Sequence, residues 1–167
     1  MTSPTVVIGL GSPIMGDDGV GLTALARLRE GWLVEGVEWI DGGTWGMSLL
    51  PAIEDARRLV LLDAIAAFEA PGTIVVLERD SLPVYLERKL SPHQVDLRDV
   101  LAVATLRGTL PEETVAIGVQ PHVVELGTTL SPAVERAVGP LVAAVIARLE
   151  SWGHRCTPVT ADASCTK

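Results

Sequence analysis

Thr5-Val6-Val7-Ile8-Gly9-Leu10-Gly11-Ser12-Pro13-Ile14-Met15-Gly16-Asp17-Asp18-Gly19-Val20-Gly21 decides how the rest of the chain is read. Its apolar, β-branched start suits a buried strand, and that strand breaks into a glycine-rich loop. Beyond the loop, Leu22, Leu25, Leu28 and Trp32 recur at three- and four-residue intervals, which predicts a helix ending near Gly31. Strand, loop and helix in that order open an α/β unit. The glycines look like a nucleotide loop, but a phosphate cradle faces its anion with backbone N–H groups and a helix N-terminus. Two carboxylates at that mouth oppose an anion and suit a cation.

Outward from this stretch, strand-like and helix-like segments alternate, the order expected of a sheet covered by helices on both faces. Val37-Glu38-Trp39-Ile40 reads as a strand closed by the turn Asp41-Gly42-Gly43, and Met47 to Ala56 as a helix in spite of Pro51. Arg58 to Ile65 is continuously apolar after its first residue apart from Asp63, as a central parallel strand should be. Thr73 to Leu77 is a strand entered through Pro71-Gly72. A polar stretch with Ser91-Pro92-His93-Gln94 leads to a helix from about Val95 to Leu106, and Thr114 to Val119 is a last buried strand. Val134, Val138, Leu141, Val142, Val145, Leu149 and Trp152 form one stripe of a final helix, with a kink expected at Gly139-Pro140. The fold class expected is α/β, a three-layer α/β/α sandwich with a mostly parallel central sheet.

The 167 residues suffice for one hydrophobic core, and no repeat or linker divides them. A single domain is expected over residues 1–152, with residues 153–167 a flexible polar tail carrying both cysteines, Cys156 and Cys165. Two cysteines so placed make neither a zinc site nor a disulfide framework. The net charge of −8, without a Lys/Arg cluster, argues against nucleic acid as partner. No apolar run approaches the roughly 20 residues of a membrane span, and Met1-Thr2-Ser3-Pro4 lacks the features of a signal peptide, so the expected location is the cytoplasm.

The residues with chemical potential are acids and histidines. Asp17 and Asp18 serve equally well as helix-capping groups or as ligands. Asp63, at the carboxyl end of a central strand, belongs to the same rim of the sheet, where open α/β folds bind ligands. His93, an ordinary surface histidine when taken alone, completes with Asp18 and Asp63 a donor set usable by a divalent transition metal. Asp17, Asp41 and His122 are secondary candidates for assisting an attacking water. There is no Gly-x-Ser-x-Gly elbow and no His-Glu-x-x-His helix. A dinucleotide site is disfavoured by the glycine spacing and the acid pair, although Asp41 could stand for a ribose-binding acid.

Five pieces in order, the glycine-acid loop Gly9 to Gly21, Asp41-Gly42-Gly43-Thr44, Leu62-Asp63-Ala64, Ser91-Pro92-His93-Gln94 and Ile117-Gly118-Val119-Gln120-Pro121, resemble the maturation endopeptidases of nickel-iron hydrogenases over residues 5 to 150. The resemblance implies an α/β/α fold and removal of a C-terminal extension from the hydrogenase large-subunit precursor after nickel insertion. It also implies that Asp18, Asp63 and His93 are both the catalytic and the metal-contacting residues, the nickel being carried by the substrate. Position 18 is Glu in some members of that family, and Ser12-Pro13 departs from the Asn that many carry after the second glycine. A monomer without nucleic-acid or membrane partners is expected. The alternatives are a nickel-binding assembly chaperone that does not cut and, less favoured, a dinucleotide-binding enzyme.

Overall fold

A computed structural model describes residues 4–83 and 93–160, the side chains of residues 93–96 excepted. Seven strands are described: β1 (Thr5–Leu10), β2 (Trp32–Val34), β3 (Val37–Gly43), β4 (Arg58–Ala64), β5 (Ile74–Glu78), β6 (Glu113–Val119) and β7 (Cys156–Pro158). The α-helices are α1 (Val20–Gly31), α2 (Leu50–Asp55), α3 (His93–Leu106) and α4 (Pro132–Ser151). Five strands form the main sheet in the order β3-β1-β4-β6-β5. β3, β1, β4 and β6 are mutually parallel, and β5 lies antiparallel on the edge against β6.

Alternation along the strands divides the core into two layers. Val6, Ile8, Leu10, Leu59, Leu61 and Ala116 meet Leu49 and Ile53 before and within α2, and Leu97, Val100, Leu101 and Ala104 of α3. On the other face Val7, Val60, Leu62, Val115 and Ile117 meet Val20, Ala24, Leu25 and Leu28 of α1 and Val134, Val138, Leu141, Val145 and Leu149 of α4. Each of these large side chains, fully buried, contributes about 1.5–3 kcal/mol. The three-layer α/β/α sandwich is therefore present, with a mostly parallel sheet. No helix among the described residues is long and apolar enough to cross a membrane.

Most elements stand where the apolar periods put them, and the differences have local causes. The segment Met47 to Ala56 starts as a 3-10 turn, Gly46–Leu49, and Pro51 falls in the first turn of α2, where its missing N–H has no intrahelical partner to lose. Asp41-Gly42-Gly43 continues β3 rather than closing it, because Asp41 pairs with Gly9 and Gly43 with Leu10. α4 runs through Pro140 as one 20-residue helix. His93 is the first residue of α3 rather than a loop residue.

The largest correction concerns the tail. Trp32 leaves the helical stripe and opens β2, and β2 pairs antiparallel with β7, Trp32 with Pro158, Leu33 with Thr157 and Val34 with Cys156. The expectation of a flexible tail from residue 153 thus fails for residues 153–160, while Cys165 lies outside the described residues. Polarity misled the reading: His154 docks by bonds, not by apolar area. Its Nε2 is 2.8 Å from the Thr5 hydroxyl and its Nδ1 3.0 Å from the Glu35 carbonyl, which can only accept, so Nδ1 donates. Burial, then the Glu150 charge, push the Cys156 thiol upward, which disfavours its thiolate. We expect His154→Ala to remove about 1–2 kcal/mol of stability, leaving Thr5 short of a partner. A thermal melt checks this, and an unchanged Tm would show that the strand pairing alone holds the segment.

Candidate active site

The connection from β1 through α1 leads to β3 on one side, and the connection from β4 leads through β5 and α3 to β6 on the other. β1 and β4 are neighbours, so the chain parts at their carboxyl ends and opens a crevice there. The glycine-acid loop follows β1 at this point, and Asp63 is the penultimate residue of β4.

The loop is held in shape by its own glycines. Gly11 has φ +114°, and a Cβ there would stand 1.9 Å from the Asp18 carbonyl oxygen, so the chain folds back on itself only with glycine at this position. The fold-back lets the Ser12 N–H donate to Asp18 Oδ2 at 2.9 Å. Further on, a Cβ on Gly21 would stand 2.2 Å from the Leu62 carbonyl, which measures how tightly α1 presses on β4 beside Asp63. Asp18, in the 3-10 turn Gly16–Gly19, and Asp63 are both fully buried. Asp63 Oδ1 accepts the Ala64 N–H at 2.8 Å. One oxygen of each carboxylate is thereby fixed by a backbone amide, which sets the orientation of the other.

Asp17 has a different task. Its Oδ2 accepts from the N–H of His122 at 2.8 Å, the N–H of Val123 at 2.9 Å and the Ser131 hydroxyl at 2.8 Å, and its Oδ1 accepts from the Ser131 N–H at 2.6 Å. Burial alone would raise this carboxyl, but the bonds from Val123, Ser131 and His122 outweigh it and hold the group below the usual carboxylate value. An anion so occupied is a staple between the glycine loop and the segment 120–131, not a general base. Backbone bonds Gly16 N–H to Gly127 O, Asp17 N–H to Val123 O and Gly127 N–H to Ile14 O reinforce the joint.

Asp41 is exposed at the end of β3 and His122 is exposed in the segment after β6, so neither is brought into the buried pair. The side chain of His93 lies outside the described residues. Its backbone position follows from the course of α3: Thr109 and Arg107, just past the helix, reach Glu54 at the end of α2, beside the starts of β4 and β6. Fourteen residues rise about 21 Å, roughly a strand length, so α3 begins at the edge of the sheet that carries Asp18 and Asp63.

The dinucleotide alternative loses its donors. The amides of Gly11, Ser12, Met15, Gly16, Asp17 and Asp18 all bond to protein oxygens, so these six are not offered to a phosphate. Gln120 had no assigned role, although it stood in one of the five matching pieces. Its Oε1 accepts from the N–H of Ala67 at 2.7 Å and of Glu69 at 3.3 Å, and so orders the loop after β4. An amide side chain directly after a buried strand was the available signal.

Comparison with known proteins gives the family and the fold. The profile of a hydrogenase maturation protease family matches residues 6–148. A hydrogenase expression/formation protein of Rhodobacter capsulatus, HupD, is 36% identical over 155 residues, 91% of this chain and 74% of the relative. The hydrogenase 2 maturation protease of Escherichia coli K12 is 33% identical over 155 residues, 92% of this chain and 94% of the relative. The structure of the hydrogenase maturating endopeptidase HybD from Escherichia coli superposes with a TM-score of 0.88 at 32% identity, covering 93% of this chain and 97% of that one.

Proposed function

The chain belongs to the hydrogenase maturation protease family, a family of endopeptidases, and we propose that it cuts the C-terminal extension from a nickel-loaded hydrogenase large-subunit precursor. The observation that carries this reading is the pair of fully buried carboxylates, Asp18 and Asp63, at the crevice where the connections from β1 and β4 part. Burying two acids is unfavourable unless a cation or donors meet them. Oxygen donors from two elements, with the imidazole of His93 from the helix that begins at the same edge, suit a borderline divalent ion such as nickel.

In this reading nickel is part of the substrate. Ligands drawn from separate elements make an incomplete shell, so the protein binds the free ion weakly, whereas a precursor already gripping nickel supplies the remaining ligands. Asp18, Asp63 and His93 then recognise the loaded state and hold the scissile peptide beside the crevice, which contributes through positioning. Metal becomes the docking signal, and cleavage follows insertion in time. An assembly chaperone would use the same ligands without forming a shortened product.

Nickel-loaded and nickel-free precursor, incubated with the same enzyme, distinguish these outcomes by the mass of the large subunit. We expect cleavage of the loaded form at least about 100-fold faster, the size of a coupling of roughly 2.7 kcal/mol. Equal cutting of the two forms removes nickel from the recognition, and binding without any shortened product leaves the chaperone.

A further inference from the structure

The loops around the crevice expose apolar side chains that the core does not use. Ile14 is 54% exposed in the loop after β1, Trp45 65% and Met47 49% after β3, Phe68 85% after β4, and Leu126 81% after β6. All four loops leave the carboxyl ends of the parallel strands, so these groups share the rim of the sheet to which Asp18 and Asp63 belong. Clustered exposed apolar groups at a functional edge mark an interaction surface.

Phe68 is the only phenylalanine of the chain, and it is the one non-glycine residue among those described with positive φ, +59°. A left-handed backbone is unfavourable for a bulky side chain, and the surroundings must impose it. Gln120 does so: the two amides its Oε1 accepts, Ala67 and Glu69, flank Phe68. The ring itself is 85% exposed. Trp45 is likewise held on a fixed turn, its N–H donating to Gly42 O at 2.9 Å, and Leu126 precedes Gly127, which bonds the glycine loop on both sides. Side chains presented on fixed backbone lose little entropy on association.

Charge narrows the choice of partner. Segments 11–19, 41–49, 64–73 and 120–131 contain no Lys or Arg, while Asp41, Glu69 and Glu125 are exposed among the apolar groups. Such a rim repels an anionic membrane and repels a second copy of itself. A cavity lined by Arg79, Leu82, Arg98, Leu101 and Leu110 belongs to the other end of α3, and none of the exposed groups lines it.

We propose that Ile14, Trp45, Met47, Phe68 and Leu126 form a docking collar for the folded body of the precursor, on a client face that carries apolar hollows bordered by Lys and Arg. The collar rests on the reading of the substrate given above. It binds client surface outside the scissile segment, and its exposed acids steer the basic face toward the crevice. Trp45 and Phe68 are the anchors, since aromatic side chains dominate such interfaces.

Steady-state cleavage and equilibrium binding of the nickel-loaded precursor from the same source organism, measured for Trp45→Ala, Phe68→Gly and Glu125→Lys, test this. For Trp45→Ala and Phe68→Gly we expect KM and Kd to rise about tenfold or more, the loss of one anchor, with kcat at saturation within about twofold of wild type. Phe68→Gly relieves the left-handed strain, so its Tm should rise by about 2–4 °C. Binding that weakens while the fold strengthens cannot come from structural damage. Wild-type KM should increase with salt, and Glu125→Lys should raise it further while flattening that dependence. Unchanged KM and Kd in both aromatic variants would overturn the collar, as would a rim-to-rim dimer in sedimentation that the same substitutions dissolve. If nickel-free precursor is cut equally well, the nickel reading fails while KM still decides the collar. If nothing is cut, Kd alone decides it.

Discussion

Asp18→Asn and Asp63→Asn should each lower kcat/KM for nickel-loaded precursor by about 100-fold or more, with circular dichroism and Tm close to wild type. Loss of groups that merely orient a ligand typically changes metal-site function by about 10–100-fold, so loss of a ligand's charge should exceed that range. The expected stability is as informative as the expected inactivity. An asparagine carbonyl can still accept the Ser12 N–H at position 18 or the Ala64 N–H at position 63, so the local turn keeps its bond. Charge and donor strength toward the ion are what the substitution takes away. His93→Ala should act in the same way, because it removes a proposed ligand from the first turn of α3. A variant that cleaves at the wild-type rate removes its residue from the ligand set. A fall in Tm matching the fall in activity would instead assign Asp18 or Asp63 to the framework.

The legible part of this protein is the part written in apolar period. β1, β4 and β6 are buried on both faces, and their nearly unbroken runs of Val, Ile, Leu and Ala announce central strands without any partner being known. The stripes of α1 and α4 are equally plain, since each helix covers one face of that sheet. Legibility ends where polar groups carry the structure. His154 docks the chain end through two hydrogen bonds, and a polar segment held in that way has the composition of a loose tail. Asp17 and Asp18 are adjacent and chemically identical, so no pattern in the sequence separates the staple from the proposed ligand. What separates them is the return of residues 122–131 over the loop, a contact between segments more than a hundred residues apart. Asp63 could be read earlier, because an acid ending a central strand has a position fixed by the strand itself.

Asp17→Ala should be the most destabilising single change at this rim, about 2–4 kcal/mol, and should lower activity only through loss of structure. The carboxylate accepts from three backbone N–H groups and one hydroxyl, and its removal strands donors that have no second acceptor at hand. Asp17→Asn is the sharper probe, since its volume is retained while one acceptor becomes a donor facing other donors. The pH dependence follows from the direction of the shift. Asp17 in the folded protein lies below its usual value, so the unfolded chain takes up a proton first as pH falls. Its stabilising contribution is therefore complete above about pH 4, the usual carboxylate value, and disappears as pH falls through the lower folded value. The gap in unfolding free energy between wild type and Asp17→Asn should be widest at neutral pH and should narrow on acidification below about pH 4. Urea unfolding of both proteins across that range measures it directly. A gap independent of pH would mean that shape rather than charge makes the staple, and at neutral pH a stable but inactive Asp17→Asn would return this residue to the chemistry of the site.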